Sequence, residues 1–341
     1  MNDTLLTLHR SLTRHRLHAV LNIGGLALGI AVFLVLFLFV EFETGYDRVL
    51  PGWDRLWVVQ RTMQFAGVAR VSIPSRVDML ANLRADYPGT VGTRLLSGDV
   101  AVQAGRGSAI EKLGQVDPDY FALFSLPVLA GDPAATLRTP DGAVVTERIA
   151  HTYLGTRSPL GRTLAVTLDG KPRLFRVGAL IRDLPVAFTH RNDIFVQLRP
   201  DAQLFSQRGA GLVTFLRFDK PAAAATRAAQ LPAFDARHPD PHFEGPSDKL
   251  KLTETLAPLA SLHLAEPRDR AVVAALGTVG LLALLIAVAN YVNLATARAG
   301  LRAREVALRK VMGGTRRALA GQFLAEAIAT TAAATLIALA L

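Results

Sequence analysis

The distribution of apolar residues divides the chain before any motif is sought. Residues 20–40 read VLNIGGLALGIAVFLVLFLFV, with Asn22 as the only polar side chain and no charge. About 20 such residues in a helix cross the hydrocarbon core of a bilayer, so the run predicts a transmembrane helix. Arg10, Arg14 and Arg16 precede it as they would in a signal peptide. The run is longer than a signal's apolar region, however, and ends in Leu38-Phe39-Val40-Glu41-Phe42, without a small-x-small site, so an uncleaved anchor is the better reading. A second uncharged run, 271–289, continues weakly through Asn290-Tyr291-Val292-Asn293-Leu294 and predicts a second span over 271–294. A third starts near Ala327 and reaches Leu341, short of a full crossing; residues 316–341 are expected to hold the start of a truncated third span, and the chain to be a fragment of a longer protein.

Between the first two spans the pattern changes. Leu56 to Val59 and Asp99 to Gln103 are strand-like, and 74–87 is amphipathic. Ala143 to Val145 predicts a strand running into a helix over 147–154. Thr163 to Leu168 and Leu174 to Ile181 predict a hairpin turned by Asp169-Gly170. Leu212 to Phe218 is β-rich, and the Ala-rich 221–234, with Pro221 in its first turn, is helical. Residues 41–270 thus predict an inserted α+β domain, of one or two subdomains, with a mixed sheet and helices on one face. Ahead of the first span, Leu5, Leu8 and Leu12 share a helical face opposite Arg10 and Arg14, which predicts an amphipathic helix within 1–19 lying in the headgroup region.

Composition agrees with the spans. Of 341 residues 50% are hydrophobic and only 19% charged, whereas soluble domains carry about a quarter charged residues. The 38 Lys and Arg against 28 Asp and Glu give a net charge of +10. Residues 1–19 hold three Arg and one acid, and 298–341 hold seven basic and two acidic residues, while 41–270 are nearly balanced at 28 against 25. The excess is therefore topological: the positive-inside rule places both basic segments in the cytoplasm and 41–270 outside, and nucleic-acid binding is not the reading. With no Cys, disulfides, thiolate metal sites and cysteine nucleophiles are excluded.

The external segment offers little chemistry. G-x-S-x-G, H-E-x-x-H and G-x-x-x-x-G-K-[ST] are all missing, which removes esterase, zincin and P-loop readings. Asp235, His238, Asp240, His242 and Glu244 could offer metal ligands, but Pro239 and Pro241 make a solvated loop the better reading. No catalytic residue, metal or cofactor is assigned. Within the spans, Gly25 and Gly29, and Gly280 with Ala283 and Ala287, permit close helix approach; Gly is also simply common in membrane helices.

The segment after the second span, 295–315, is the most informative. Leu301, Leu308 and Met312 fall in a narrow helical arc, flanked by Arg304 and Glu305, with Arg302, Arg309 and Lys310 further round. Glu305 and Arg309 have the favourable i,i+4 order, Gly313-Gly314 ends the helix, and Thr315 can cap the next one. Lipid contact and protein docking are equally open to such a helix.

Leu301 to Glu326, with R-A-R-E-V-A-L-R-K-V-M-G-G-T-R-R followed by G-Q-F-L-A-E-A, resembles the cytoplasmic loop of FtsX-like permeases, the membrane subunits of MacB-type ABC transporters. Leu21 to Gly29 is similar to the family's first span, and Tyr46-Asp47-Arg48 through Trp53-Asp54-Arg55-Leu56 to the segment outside it. Asp117-Pro118-Asp119-Tyr120-Phe121, Leu129-Ala130-Gly131-Asp132, Val144-Val145-Thr146-Glu147, Pro159-Leu160-Gly161, Val177-Gly178, Arg182-Asp183-Leu184-Pro185, Pro258-Leu259 and Leu262-His263-Leu264 are similar to the MacB-like periplasmic core domain. The resemblance implies a non-catalytic subunit of an exporter or mechanotransmission complex in the bacterial inner membrane, with ATP hydrolysis in a separate ATP-binding subunit. It implies that 301–313 is a coupling helix, with Leu301, Leu308 and Met312 as apolar anchor, Arg304, Glu305, Arg309 and Lys310 as polar rim, and Gly313 at its end. Implied partners are the ATP-binding subunit, membrane lipid, a second permease unit in a dimer or pseudo-dimer, and a periplasmic or outer-membrane adaptor. A ligand-sensing receptor and a membrane-anchored external enzyme are the rival functions for this topology.

Overall fold

The structure, a computed structural model, describes residues 16–65, 68–72, 74–104, 107–168, 170–199, 212–239, 250–301, 303–312 and 315–341. They fall into two units, one made of residues 1–44 with 264–341, the other of 45–263.

The first unit is helical. Helix α1, Arg16–Thr44, contains the first predicted span. Residues 1–15 of the predicted amphipathic helix lie outside the described residues. The second span lies in α7, Pro267–Leu301, and is followed by the short α8, Ala303–Val311, and by α9, Arg316–Ala340. Apolar runs of sufficient length cover Val20–Thr44, Pro267–Ala297 and Leu319–Ala340. The third is longer than the sequence pattern allowed. The apolar pattern starts near Ala327, but one carboxylate and Gln322 do not end an otherwise apolar helix, and the run of 22 residues begins at Leu319. Leu26 and Ala27 of α1, Ala287 of α7 and Ala334 of α9 pack into one small cluster with Ile23, Ile30 and Tyr291 at its edge.

The second unit is built on a sheet that has eleven strands among the described residues. They are β1 Leu56–Phe65, β2 Val68–Ser72, β3 Val91–Ala104, β4 Gly107–Val116, β5 Val128–Gly131 and β6 Gly142–Thr146. After them come β7 Thr163–Leu168, β8 Lys171–Ile181, β9 Ile194–Gln197, β10 Leu212–Arg217 and β11 Leu250–Pro258. Their order is β11-β1-β10-β3-β4-β9-β6-β8-β5, with β2 beside β1 and β7 bridging β3 and β8. The β4–β9 and β6–β8 pairs are parallel and the others antiparallel. The interposed helices are α2 Met79–Asp86, α3 Tyr120–Phe124, α4 Pro133–Thr136, α5 Glu147–Leu154 and α6 Pro221–Arg237. The class is α+β with a mixed sheet.

Side-chain alternation shows how the layers lie. Val144 of β6 and Phe195 of β9 enter a cluster with Tyr120, Phe121 and Phe124 of α3. Their neighbours Val145, Ile194 and Val196 enter another with Ile149 and Ala150 of α5. In the same way Val58 and Phe215 join the α3 cluster, while Val59 and Leu216 pack on Met79, Leu80 and Leu83 of α2 and on Leu231 and Phe234 of α6. Helices therefore cover both faces, where the pattern predicted one. The face under α3 was hidden from sequence reasoning because a five-residue helix is too short to show an apolar period.

Local chemistry explains the clearest elements. Thr146 is the N-cap of α5, its hydroxyl accepting from the Ile149 amide, and Gly155 closes the helix at φ +61°. Leu168 pairs with Lys171 at the end of the β7–β8 hairpin.

Candidate functional site

Helix α8 stands between two helices long and apolar enough to span a membrane. Towards its end three apolar side chains are bare: Leu308 is 63%, Val311 88% and Met312, just past the helix, 77% exposed. At 100° per residue the three cover an arc of about 100°, a continuous stripe on a helix of only nine residues. Lys310 beside them is exposed, and the Met312 amide donates to the Leu308 carbonyl at 3.1 Å. The side chains of Leu301, Arg304, Glu305 and Arg309, and Gly313, lie outside the described residues. Val311 was missed in the sequence because it sits on the far edge of the stripe from Leu301; its i+3 spacing from Leu308 is the signal that finds it.

Of the small residues singled out in the spans, Gly29 meets Ala283 and Ala287, whereas Gly25 and Gly280 face larger side chains. A Cβ placed on Gly29 of α1 would lie 2.2 Å from the Ala287 Cβ of α7 and 3.4 Å from the Ala283 carbonyl oxygen. One on Gly280 would lie 3.1 Å from the Leu36 Cβ, and one on Gly25 3.8 Å from Asn290 Nδ2. At Gly29 the helices touch backbone to side chain with no room for even a methyl group.

In the domain, the residues that carry the resemblance hold junctions. Asp117 accepts from the Arg94 amide at 2.9 Å and from its guanidinium at 2.9 and 2.8 Å. Asp132 caps α4 through the Ala135 amide at 3.1 Å. Gly131 has φ +78°, and a Cβ there would stand 2.1 Å from the Gly178 carbonyl oxygen; at Gly178 it would stand 2.4 Å from Thr136 Oγ1. Asp183 accepts from the Arg148 amide at 2.8 Å, fixing the start of α5. Glu111 binds the Arg148 guanidinium, which holds its carboxyl below the ordinary value, and accepts from Tyr153 at 2.7 Å. Each of these carboxylates is engaged by a guanidinium, a backbone amide or both.

Of the candidate metal ligands, Asp235 accepts from the Glu254 amide at 3.0 Å and His238 Nε2 faces Asp86 Oδ1 at 3.1 Å. Asp240, His242 and Glu244 lie outside the described residues, and among the described residues no group of three His, Asp or Glu is arranged to hold a metal ion. Burial pushes the Asp235 carboxyl up, and that of Glu254, whose guanidinium partner is Arg61 at 2.7 Å, moves the same way for the same reason.

The family model of the MacB-like periplasmic core domain matches residues 19–234. The chain belongs to the MacB-like permease family. The family model of the FtsX-like permease C-terminal region matches residues 277–341, which include α8 and α9. No curated protein matches the chain. Among solved structures, a domain of a permease protein from Porphyromonas gingivalis is similar at 16% identity and a TM-score of 0.52, over 61% of this chain and 91% of that one. The periplasmic region of MacB from Actinobacillus actinomycetemcomitans aligns at 12% identity and a TM-score of 0.38, over 60% and 91%. The extracellular domain of the noncanonic ABC-type transporter YknZ from Gram-positive bacteria aligns at 12% identity and a TM-score of 0.36, over 57% and 99%. Membership of this permease family fits the membrane subunit of an ABC-type transporter, a class that is generally non-catalytic.

Proposed function

We propose that the chain is a non-catalytic membrane subunit that couples ATP hydrolysis in a separate ATP-binding subunit to movement of its 45–263 domain. The observation that carries the reading is the bare Leu308, Val311 and Met312 stripe on a short helix between two spans. Apolar side chains in a basic juxtamembrane segment need a covering surface, and a groove on a soluble partner provides it. Leu301, Leu308 and Met312 serve as the anchor, and Arg304, Glu305, Arg309 and Lys310 set register and orientation. The charge partition supports a cytoplasmic α8 and N-terminus, with 45–263 on the other side of a bacterial inner membrane. The small-residue contacts at Gly25, Gly29, Gly280 and Ala283 make α1 and α7 a stiff pair suited to carrying displacement.

The test is co-purification in mild detergent with candidate ATP-binding subunits. Replacing Leu308 and Met312 by Asp removes two anchors worth roughly 1.5–3 kcal/mol each when buried, enough to abolish association. Membrane insertion should be unaffected. A double variant that still retains the ATPase at the wild-type level would defeat the docking assignment.

A further inference from the structure

Where the chain leaves α1 and where it approaches α7, the 45–263 domain holds both ends by unusual contacts. Asp47, three residues beyond the end of α1, is fully buried and has φ +63°, a left-handed conformation that costs a non-glycine residue about 1 kcal/mol or more. Its carboxylate accepts from the Thr189 amide at 2.9 Å and from the Thr189 hydroxyl at 2.6 Å, while its own amide donates to the Ala187 carbonyl at 2.8 Å. Burial pushes the Asp47 carboxyl up; the Thr189 bonds and the nearby His263 pull against it. Beside it the Tyr46 ring lies flat on the His263 ring, with centroids 3.4 Å apart and planes 3° from parallel. His263 comes four residues before α7 begins.

These contacts converge on one loop. Ala187 and Thr189 belong to the connection between β8 and β9, strands in the far half of the sheet from β1 and β11. Phe188 and Leu184 of that loop share a cluster with Leu50 of the first connector and Leu259 and Leu262 of the second. The 3₁₀ turns Trp53–Arg55 and Leu259–Ser261 also pack on each other. A strained backbone and a buried carboxylate are both unfavourable on their own, and both sit at Asp47, whose amide and carboxylate tie the first connector to the loop. Such features persist where surroundings over-determine them.

We propose that Tyr46, Asp47, Thr189 and His263 form a mechanical joint that delivers displacement of the two connectors to the β8–β9 loop and so to the far half of the sheet. The joint rests on the reading of the chain as a force-transmitting subunit. Asp47, Thr189, Tyr46 and His263 are positioning residues in it and take no part in ATPase docking.

The experiment is hydrogen exchange on the full chain in nanodiscs, with its ATP-binding subunit and then alone, for wild type, Asp47→Ala, Thr189→Val and Asp47→Asn. With the partner present, ATP should change exchange in 182–198 of the wild type. Asp47→Ala and Thr189→Val should keep co-purification and basal ATP turnover but lose that change, and Asp47→Asn, which can still bond Thr189, should restore it. A domain response to ATP in both disrupting variants that equals the wild type overturns the joint. In the chain alone, Asp47→Ala should speed exchange about tenfold in 44–50, 186–190 and 258–263 together. Loosening confined to 44–50 also overturns it. If the wild type retains no ATP-binding subunit, the permease reading fails and the chain-alone measurement still decides the joint. If Asp47→Ala does not fold, Thr189→Val carries the same comparisons.

Discussion

His190 is a titratable group set among aromatic rings, its ring 5.1 Å from that of Phe215, with no partner for Nε2 among the described residues. Burial pushes its pKa down to about 4 from 6.5. Above pH 6.5 it is neutral folded or unfolded and contributes nothing. As the pH falls from 6.5 to 4 the unfolded chain takes up a proton that the folded chain refuses, so stability is lost, by about 3 kcal/mol in full. Melting of wild type and His190→Phe should therefore diverge steadily between pH 6.5 and 4, and parallel curves would refute this account. Using the difference between the two removes Asp47, Asp235 and Glu254, whose raised carboxyls work in the opposite direction. Gly131→Ala adds a methyl group 2.1 Å from a backbone oxygen at φ +78°, and should cost about 3 kcal/mol or more in denaturant unfolding. Sequence reasoning marked Gly131, Gly178 and Asp47 as members of resembling segments and nothing more. Their roles depend on partners far along the chain, Thr189 being 142 positions from Asp47, and no local pattern encodes such a pairing.

At the scale of elements, helices with their own caps and hairpins with their own turns were legible. Helix α5 was foreseen to the residue, and the β7–β8 hairpin from Asp169-Gly170. Strand β1 was read only as far as Val59, because Gln60, Arg61 and Thr62 break the apolar alternation. Arg61 is nevertheless buried there, paired with Glu254 of the neighbouring β11. Strand β4 was missed for a similar reason: its first half is largely exposed and its second half buried, so it shows no single period. In the membrane unit, Gly29→Leu should force α1 and α7 apart. The chain has no Cys, so a Cys pair introduced at Leu36 and Gly280 reports their separation without background. Disulfide yield should be high in the otherwise wild-type chain and fall sharply with Gly29→Leu; equal yields would mean that the contact at Gly29 does not hold the helices together.

For the molecule as a whole, charge partition and hydropathy announced a membrane protein with a large inserted domain, and that architecture is what the family membership carries. The near balance within residues 41–270, 28 basic against 25 acidic, was the sequence feature that separated domain from juxtamembrane pieces. Among the described residues, 45–263 contain four apolar clusters of their own, drawn from both faces of the sheet. Expressed alone, this segment should be soluble and melt in one cooperative transition followed by circular dichroism; a featureless melt would show that it depends on the helices. Its first and last strands, β1 and β11, are hydrogen-bonded neighbours running antiparallel, with Trp57 opposite Pro258. Cross-strand partners stand about 5 Å apart, and the Tyr46 and His263 rings at the two ends of the domain stack 3.4 Å apart, so the two ends lie close together. A domain attached in this way is a cassette: it can be removed and closed with a tight turn, or exchanged for another whose termini meet, without altering the spacing its host presents.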